Sequence, residues 1–270
     1  MLYRITSFLL IVAVFISCST NPVTGRRQFS LVSEQELQSM ATQQYRQFLS
    51  ENRVVSPSAD RDAEMVRRVG QRLANAVTRY YKEQGLSETL QGYKWEFNLV
   101  NSKEANAWAM PGGKVVVYTG LLPITQNEAA LANVLGHEIS HAIFQHGNER
   151  MSQGLAQQLG GTALSVALAN RPAQTQNLFM QAYGIGSQVG VMLPFSRKQE
   201  LESDRYGMRW SAMAGYNPRE AINLWRRMAA QANGQRPPEF LSTHPAEERR
   251  IQQLQQYLPE ALKYYKPSGR

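Results

Sequence analysis

The sequence is poor in cysteine, in aspartate and in long apolar runs. A single cysteine, Cys18, among 270 residues excludes a disulfide within the chain. The longest unbroken apolar run, Phe8–Ile16, is far too short for a helix to cross a ~30 Å hydrocarbon core, and the mean hydropathy of -0.42 excludes a polytopic membrane protein. The formal charge of +8 and pI near 9.7 come from basic residues scattered along the chain. No long basic run and no aromatic-basic motif accompanies them, so nucleic acid is not an expected partner. What is present is 43% hydrophobic and 19% charged residues, which suits one globular domain and excludes intrinsic disorder.

Met1–Ser17 carries one charge, Arg4, ahead of the apolar run, as a signal peptide does. Phe15-Ile16-Ser17-Cys18 resembles a bacterial lipobox, which implies acylation of Cys18 and attachment to a membrane through that lipid. Ser19 after the cysteine implies an outer-membrane, periplasm-facing position by the same resemblance. Removing residues 1–17 takes away one Arg and no acid, so the charge falls from +8 to +7. Asn21–Gln28 is turn-rich and reads as an extended tether, giving a lipidated N-terminus and tether over 18–32 and one domain over 33–270.

Within that domain Ser33…Glu36 is a capping box opening a helix to about Ser50, and a second amphipathic helix runs from about Ala59 to Glu83 before Gly85. Tyr93–Val100 alternates as a half-buried strand, and Lys114–Thr119 is a β-branched strand after the Met110–Gly113 turn. From Thr125 onward the pattern is helical, with breaks near Asn170–Pro172, Pro194–Ser196, Gly215–Pro218 and Asn233–Pro238. The expected fold class is α+β, mostly helical, with a small sheet.

Gly136-His137-Glu138-Ile139-Ser140-His141 is an HExxH motif in a helix that the Thr125…Glu128 pair is expected to cap. His137 and His141 lie one turn apart on one face and can take adjacent corners of a Zn²⁺ tetrahedron. Glu138 beside them can accept a proton from a metal-bound water. By composition the motif arises by chance in roughly one such chain in two to three hundred, so two incidental surface histidines are a poor explanation. His146 falls five residues after His141, where the metzincin pattern needs six, and lies nearly opposite His137 on the wheel; it reads as a structural or cap histidine.

A third ligand must come from elsewhere. Ser196 opens a helix carrying Glu200 and Asp204 four residues apart on one face, so one can bind metal while the other supports a ligating histidine. Glu202 points about 160° from Glu200 and reads as solvated or paired with Arg205 or Arg209. His244, in Ser242-Thr243-His244-Pro245, can donate to an oxyanion, fill a fourth zinc position or cap the last helix. The Gly- and Gln-rich stretch Met151–Leu193 between the two motifs reads as a mobile lid.

Asn106–Gly113, Gly120-Leu121, Gly136–His141 and Ser196–Asp204 follow one another as in the gluzincin-type zinc metallopeptidase family of HtpX, the CAAX prenyl protease and bacterial envelope lipoproteins related to BepA and LoiP, which this chain resembles. The resemblance spans about Glu64 to Arg250. It implies a zincin-like domain, one Zn²⁺ on His137, His141 and Glu200, Glu138 as general base and Asp204 as a supporting carboxylate. It implies an endopeptidase of extended or unfolded polypeptides, here misfolded or unassembled envelope proteins, with Lys114–Tyr118 as the sheet edge that pairs with substrate backbone. The alternative is an envelope chaperone or assembly factor with a latent or structural zinc site.

Overall fold

The computed structural model describes residues 18–159, 172–183, 195–232, 240–244 and 248–267. The chain enters as a two-stranded antiparallel hairpin of β1 (Cys18–Thr20) and β2 (Arg27–Phe29). The extended tether expected over Asn21–Gln28 is thus a closed turn: Asn21 accepts from Val23 and Thr24 through its side chain, and its backbone bonds Gly25 and Arg26. An Asx side chain that offers the backbone local partners folds a turn where composition alone suggests slack chain.

Helices α1 (Glu34–Glu51) and α2 (Arg61–Glu83) begin where their caps dictate. Ser33 and Glu36 form the full capping box, and the Asp60 carboxylate accepts from the Asp62 and Ala63 amides. Between and after them lie β3 (Val54–Val55), β4 (Glu96–Val100), β5 (Ala107–Met110) and β6 (Lys114–Tyr118), in the sheet order β3-β4-β6-β5. β4 and β6 are parallel and the other pairs antiparallel.

The order corrects one expectation. Lys114–Tyr118 is an interior strand, paired with β4 on one side and β5 on the other, and Ala107–Met110 is the edge beside it. Gly112 and Gly113, both at positive φ, make the tight return that lays β5 against β6 and moves the edge one strand outward. All four residues of β5 are buried, so the alternation that marks a half-exposed strand is missing from its sequence.

Helices follow for the rest of the described chain: α3 (Glu128–Ile143), α4 (His146–Leu159), α5 (Pro172–Ala182), α6 (Arg197–Met213), α7 (Glu220–Ala232) and α8 (Glu248–Leu262). The cap of α3 is Asn127, whose side chain accepts from the Ala130 amide; Thr125 instead ends a one-turn helix and bonds back to Leu122. Gln126 at φ 64 separates the two and displaces the expected cap by two residues.

The sheet divides the interior by its pleat. Phe97, Leu99, Ala107, Ala109, Val115 and Val117 face α2, α3, α6, α7 and α8, whereas Val100, Trp108, Met110, Val116 and Tyr118 face α1, α4 and α5. Much of the lid stretch expected over Met151–Leu193 lies outside the described residues. Of the rest, Met151, Leu155, Leu178 and Phe179 are buried in the second cluster.

Candidate metal centre

Two glycines set the distance between the helices that carry the site. A Cβ on Gly136 of α3 would stand 2.7 Å from the Gly207 carbonyl oxygen of α6, and one on Gly207 would stand 2.7 Å from the His137 amide nitrogen. Backbone therefore touches backbone, and the ligand-bearing faces of α3 and α6 meet directly. Trp210 locks the crossing: its indole N–H donates to the Ser140 hydroxyl at 3.1 Å, and that hydroxyl donates to the Gly136 carbonyl.

From this crossing His137, His141, Glu200 and His244 converge, each buried, with one donor atom apiece all within 4.8 Å of one another. The Nε2 atoms of His137 and His141 face each other at 3.0 Å. Glu200 lies 3.3 Å from His141 Nε2 and 3.5 Å from His137 Nε2. His244 Nδ1 lies 2.9 Å from a Glu200 oxygen and 3.2 Å from His137 Nε2. His244 is held there by its own amide, which donates to the Phe240 carbonyl, while the Phe240 amide donates to the Ala105 carbonyl two residues before the edge strand.

Asp204 stands behind His137, its Oδ1 at 3.0 Å from Nδ1, which fixes the tautomer that leaves Nε2 free to ligate. Glu138 is buried with its Oε1 unpartnered, 3.5 Å from His244 Nε2. Burial raises the Glu138 carboxyl well above the ordinary carboxylate range, and the Glu200 charge adds to the rise. Burial acts on Glu200 in the same sense, but His244 and Arg250 outweigh it and hold that carboxyl well below the usual range. Burial presses His244 down to about 4, so its imidazole is neutral and can ligate.

Several residues of the site carried no signal in the sequence. Arg250 of α8 is buried, chelates Asp204 through Nε at 2.6 Å and Nη2 at 2.8 Å, approaches Glu200 at 2.6 Å and stacks 3.5 Å over Trp225. Phe195 packs its ring 3.8 Å from that of His141, with Arg150 a further 3.8 Å above it. Phe195 directly precedes the α6 cap, a place where an apolar residue commonly packs back on its helix. Arg250 was discoverable only as a demand: three clustered carboxylates need cations.

Glu202 and His146 depart from expectation. Glu202 is neither solvated nor joined to Arg205 or Arg209, which pair with Glu260. It accepts from His146 Nε2 at 2.7 Å and from Arg26 Nε at 2.9 Å; burial would raise its carboxyl, but these partners hold it at about 2. His146, expected as a structural or cap histidine on the far side of the helix, instead lies with its Nδ1 2.9 Å from His141 Nδ1. The helical wheel fails here because Gln145, at φ 55, ends α3 and starts a new helix that swings His146 back toward the site.

The donor set fits a zinc ion. The imidazole nitrogens of His137, His141 and His244 and a carboxylate oxygen of Glu200 converge on one point, and Glu200 is held ionised there, a donor set that suits a divalent cation accepting nitrogen and oxygen ligands. The profile of peptidase family M48 matches residues 57–258, three quarters of the sequence and the whole of this site.

The chain belongs to peptidase family M48. Among its relatives, the mitochondrial metalloendopeptidase OMA1 of Schizosaccharomyces pombe is 35% identical over 243 residues, which are 89% of this chain and 66% of that protein. Human mitochondrial metalloendopeptidase OMA1 is 29% identical over 264 residues, 94% of this chain and 48% of that protein. The beta-barrel assembly-enhancing protease of Escherichia coli is 32% identical over 161 residues, 58% and 33% respectively. The chain spans from about one third to about two thirds of the length of these M48 relatives. The family bears out the resemblance to HtpX-like zinc metallopeptidases, their zincin-like domain and their zinc.

It also corrects the expected address. The relatives that match 68–94% of the chain are named as mitochondrial metalloendopeptidases, and this overturns a bacterial outer-membrane, periplasm-facing position. A short, basic, acid-free leader is shared by several targeting routes, so it never distinguished among them.

Proposed function

We propose that this M48 chain is a zinc-dependent endopeptidase of extended or unfolded polypeptides, with His137, His141 and Glu200 as metal ligands and Glu138 as general base. The observation that carries this reading is the buried, unpartnered Oε1 of Glu138 beside the converging donors. A site that only held a structural ion has no use for a second carboxylate left unsatisfied there. A zinc ion on these ligands supplies Lewis acidity toward water and the scissile carbonyl. Glu138 accepts the proton of the attacking water and returns it to the leaving amine, a role its raised affinity for protons suits. Asp204 and Arg250 keep His137 oriented through both steps. The outer side of Ala107–Met110 is the edge on which an extended substrate would add as a further strand.

Purified protein tested on an unfolded protein substrate beside Glu138→Gln decides the matter. The variant keeps its zinc and loses at least about a hundredfold in rate. Equal cleavage by both proteins would refute Glu138 as base, and zinc bound without cleavage by either would favour the chaperone or assembly-factor alternative.

His244 supports a second reading, of latency. Its convergence with His137, His141 and Glu200 supports a reading in which it fills the fourth position that a catalytic zinc site keeps for water. His244→Ala then raises basal cleavage severalfold while weakening zinc binding. Unchanged activity and zinc affinity would remove His244 from the site. Acylation at Cys18, with removal of residues 1–17, belongs to the same proposal and is read directly from the mass of the N-terminal peptide.

A further inference from the structure

We infer that Arg26 and Glu202 position the zinc ligand His141 through His146, so that the N-terminal hairpin is a working part of the metal site. The inference rests on His141 ligating zinc and goes beyond it by naming what holds that ligand.

The direction of each hydrogen bond in the chain follows from the first. With Nε2 of His141 turned to the metal, its proton resides on Nδ1, which must donate. The group 2.9 Å away is Nδ1 of His146, and it must therefore accept. His146 then carries its own proton on Nε2, and 2.7 Å beyond stands a Glu202 oxygen to receive it. The same oxygen accepts from Arg26 Nε at 2.9 Å, and Arg26 Nη1 reaches both oxygens of Glu149 at 3.0 and 2.8 Å. No bond in this series can be reversed without taking the lone pair of His141 away from the metal. The two histidine ligands are thus oriented differently: His137 by Asp204 directly, His141 by Glu202 at one imidazole's remove.

The hairpin is built to hold Arg26 in place. The Gln28 side chain donates to the Phe144 carbonyl at the end of the HExxH helix. Tyr206 of α6 donates its hydroxyl to the Val23 carbonyl at 3.0 Å. Further along, the Leu31 amide donates to Ser152 at 2.8 Å, and Asn148 donates to the Val32 carbonyl at 2.8 Å. Residues 21–32 are thereby tied to α3, α4 and α6, the helices that carry His141, His146 and Glu202. A displacement of the hairpin acts on the ligand through bonded contacts of 2.9 Å or less.

The test is zinc affinity of the full chain, measured by competition with a chromophoric chelator using Zn²⁺ alone. Glu202→Ala weakens zinc about ten- to a hundredfold. Glu202→Gln, whose amide oxygen still accepts from His146, restores most of that loss. Arg26→Ala weakens zinc severalfold, and added to Glu202→Ala it changes nothing further, since Arg26 reaches His146 only through Glu202 and its remaining bonds to Glu149 do not touch the ligand. Arg205→Ala, which breaks an ion pair with Glu260 away from the chain, leaves zinc unchanged. Zinc affinity within twofold of wild type in Glu202→Ala, or additive losses in the double variant, would overturn the inference. Should Glu202→Ala not fold, Arg26→Ala decides alone: unchanged zinc affinity overturns it. His141→Ala separates the premise from the inference. If it binds zinc as wild type does, the ligand assignment has failed; if it loses zinc while Glu202→Ala does not, only the positioning chain has.

Discussion

Replacing Gly207 by alanine sets two physical effects against each other. In a helix interior alanine is favoured over glycine by about 1 kcal/mol, so propensity alone predicts a more stable protein. The new Cβ, however, would lie 2.7 Å from the His137 amide nitrogen and 3.0 Å from both the Gly136 carbonyl carbon and His137 Cα. These are backbone atoms of a packed helix and cannot turn aside. Reaching ordinary contact requires α3 and α6 to part by about 0.7 Å. The 3.0 Å bond from His137 to Asp204 spans that same gap, and lengthened by this amount it reaches about 3.7 Å, beyond hydrogen-bond range. Overpacking costs about 1–3 kcal/mol and the lost charge-assisted bond about 1.5–3, so the net loss after the helical gain is about 1.5–5 kcal/mol, with a central value of about 3. For a chain of this length that central value lowers Tm by roughly 6–12 °C. A misplacement approaching 1 Å between the converging donors of the proposed site costs about a hundredfold in kcat/KM and weakens zinc. The assay is thermal unfolding with and without chelator, beside zinc competition and peptide cleavage. A raised Tm with unchanged zinc affinity, the outcome propensity alone predicts, would refute the argument.

Two further perturbations test other parts of the structure. Arg250→Met leaves Asp204 and Glu200 without their shared buried cation and destabilises the fold by about 3–5 kcal/mol, seen as a fall in the denaturation midpoint; a midpoint within 0.5 kcal/mol of wild type would contradict it. Glu34 lines a cavity of about 400 Å³ beneath the N-terminal hairpin, and burial lifts its carboxyl to about 7 from 4.5. The folded state then holds more protons than the unfolded state between these values, so Glu34 costs stability as pH rises from 4.5 through 7. Glu34→Gln removes that slope and stabilises the protein at pH 8 by up to roughly 3 kcal/mol, with no gain at pH 4; equal effects at both pH values would refute the assignment.

How much of this was legible in the sequence depends on whether a feature is local. Ser33 and Ser196 announce their helices because a cap acts within one turn, and HExxH announces its face because four residues span a turn. The edge strand Ala107–Met110 was hidden because both its faces are buried, which erases alternation. The wheel that set His146 opposite His137 assumed an unbroken helix, and Gln145 breaks it. Glu202 was read from neighbours at helical spacing, whereas its partner Arg26 comes from 176 residues away. Arg250 likewise reaches Asp204 and Glu200 from another helix, and Phe195 gains its meaning only by lying against His141. Contacts between distant segments leave no periodic trace.

The division of the interior by the sheet has a further consequence for how the molecule opens. All four converging donors lie on or beside elements packed on one face, in the cluster of α2, α3, α6, α7 and α8. The other face, with α1, α4 and α5, forms a separate and smaller unit of cohesion. Cooperative units of this kind melt at free energies below that of global unfolding. Amide exchange would then be faster along α1 and α5 than along α3 and α6, while the start of α4, bonded to His141 through His146, holds with the metal-bearing side. The sheet is in that sense a hinge plane between a region that holds metal and a region free to breathe.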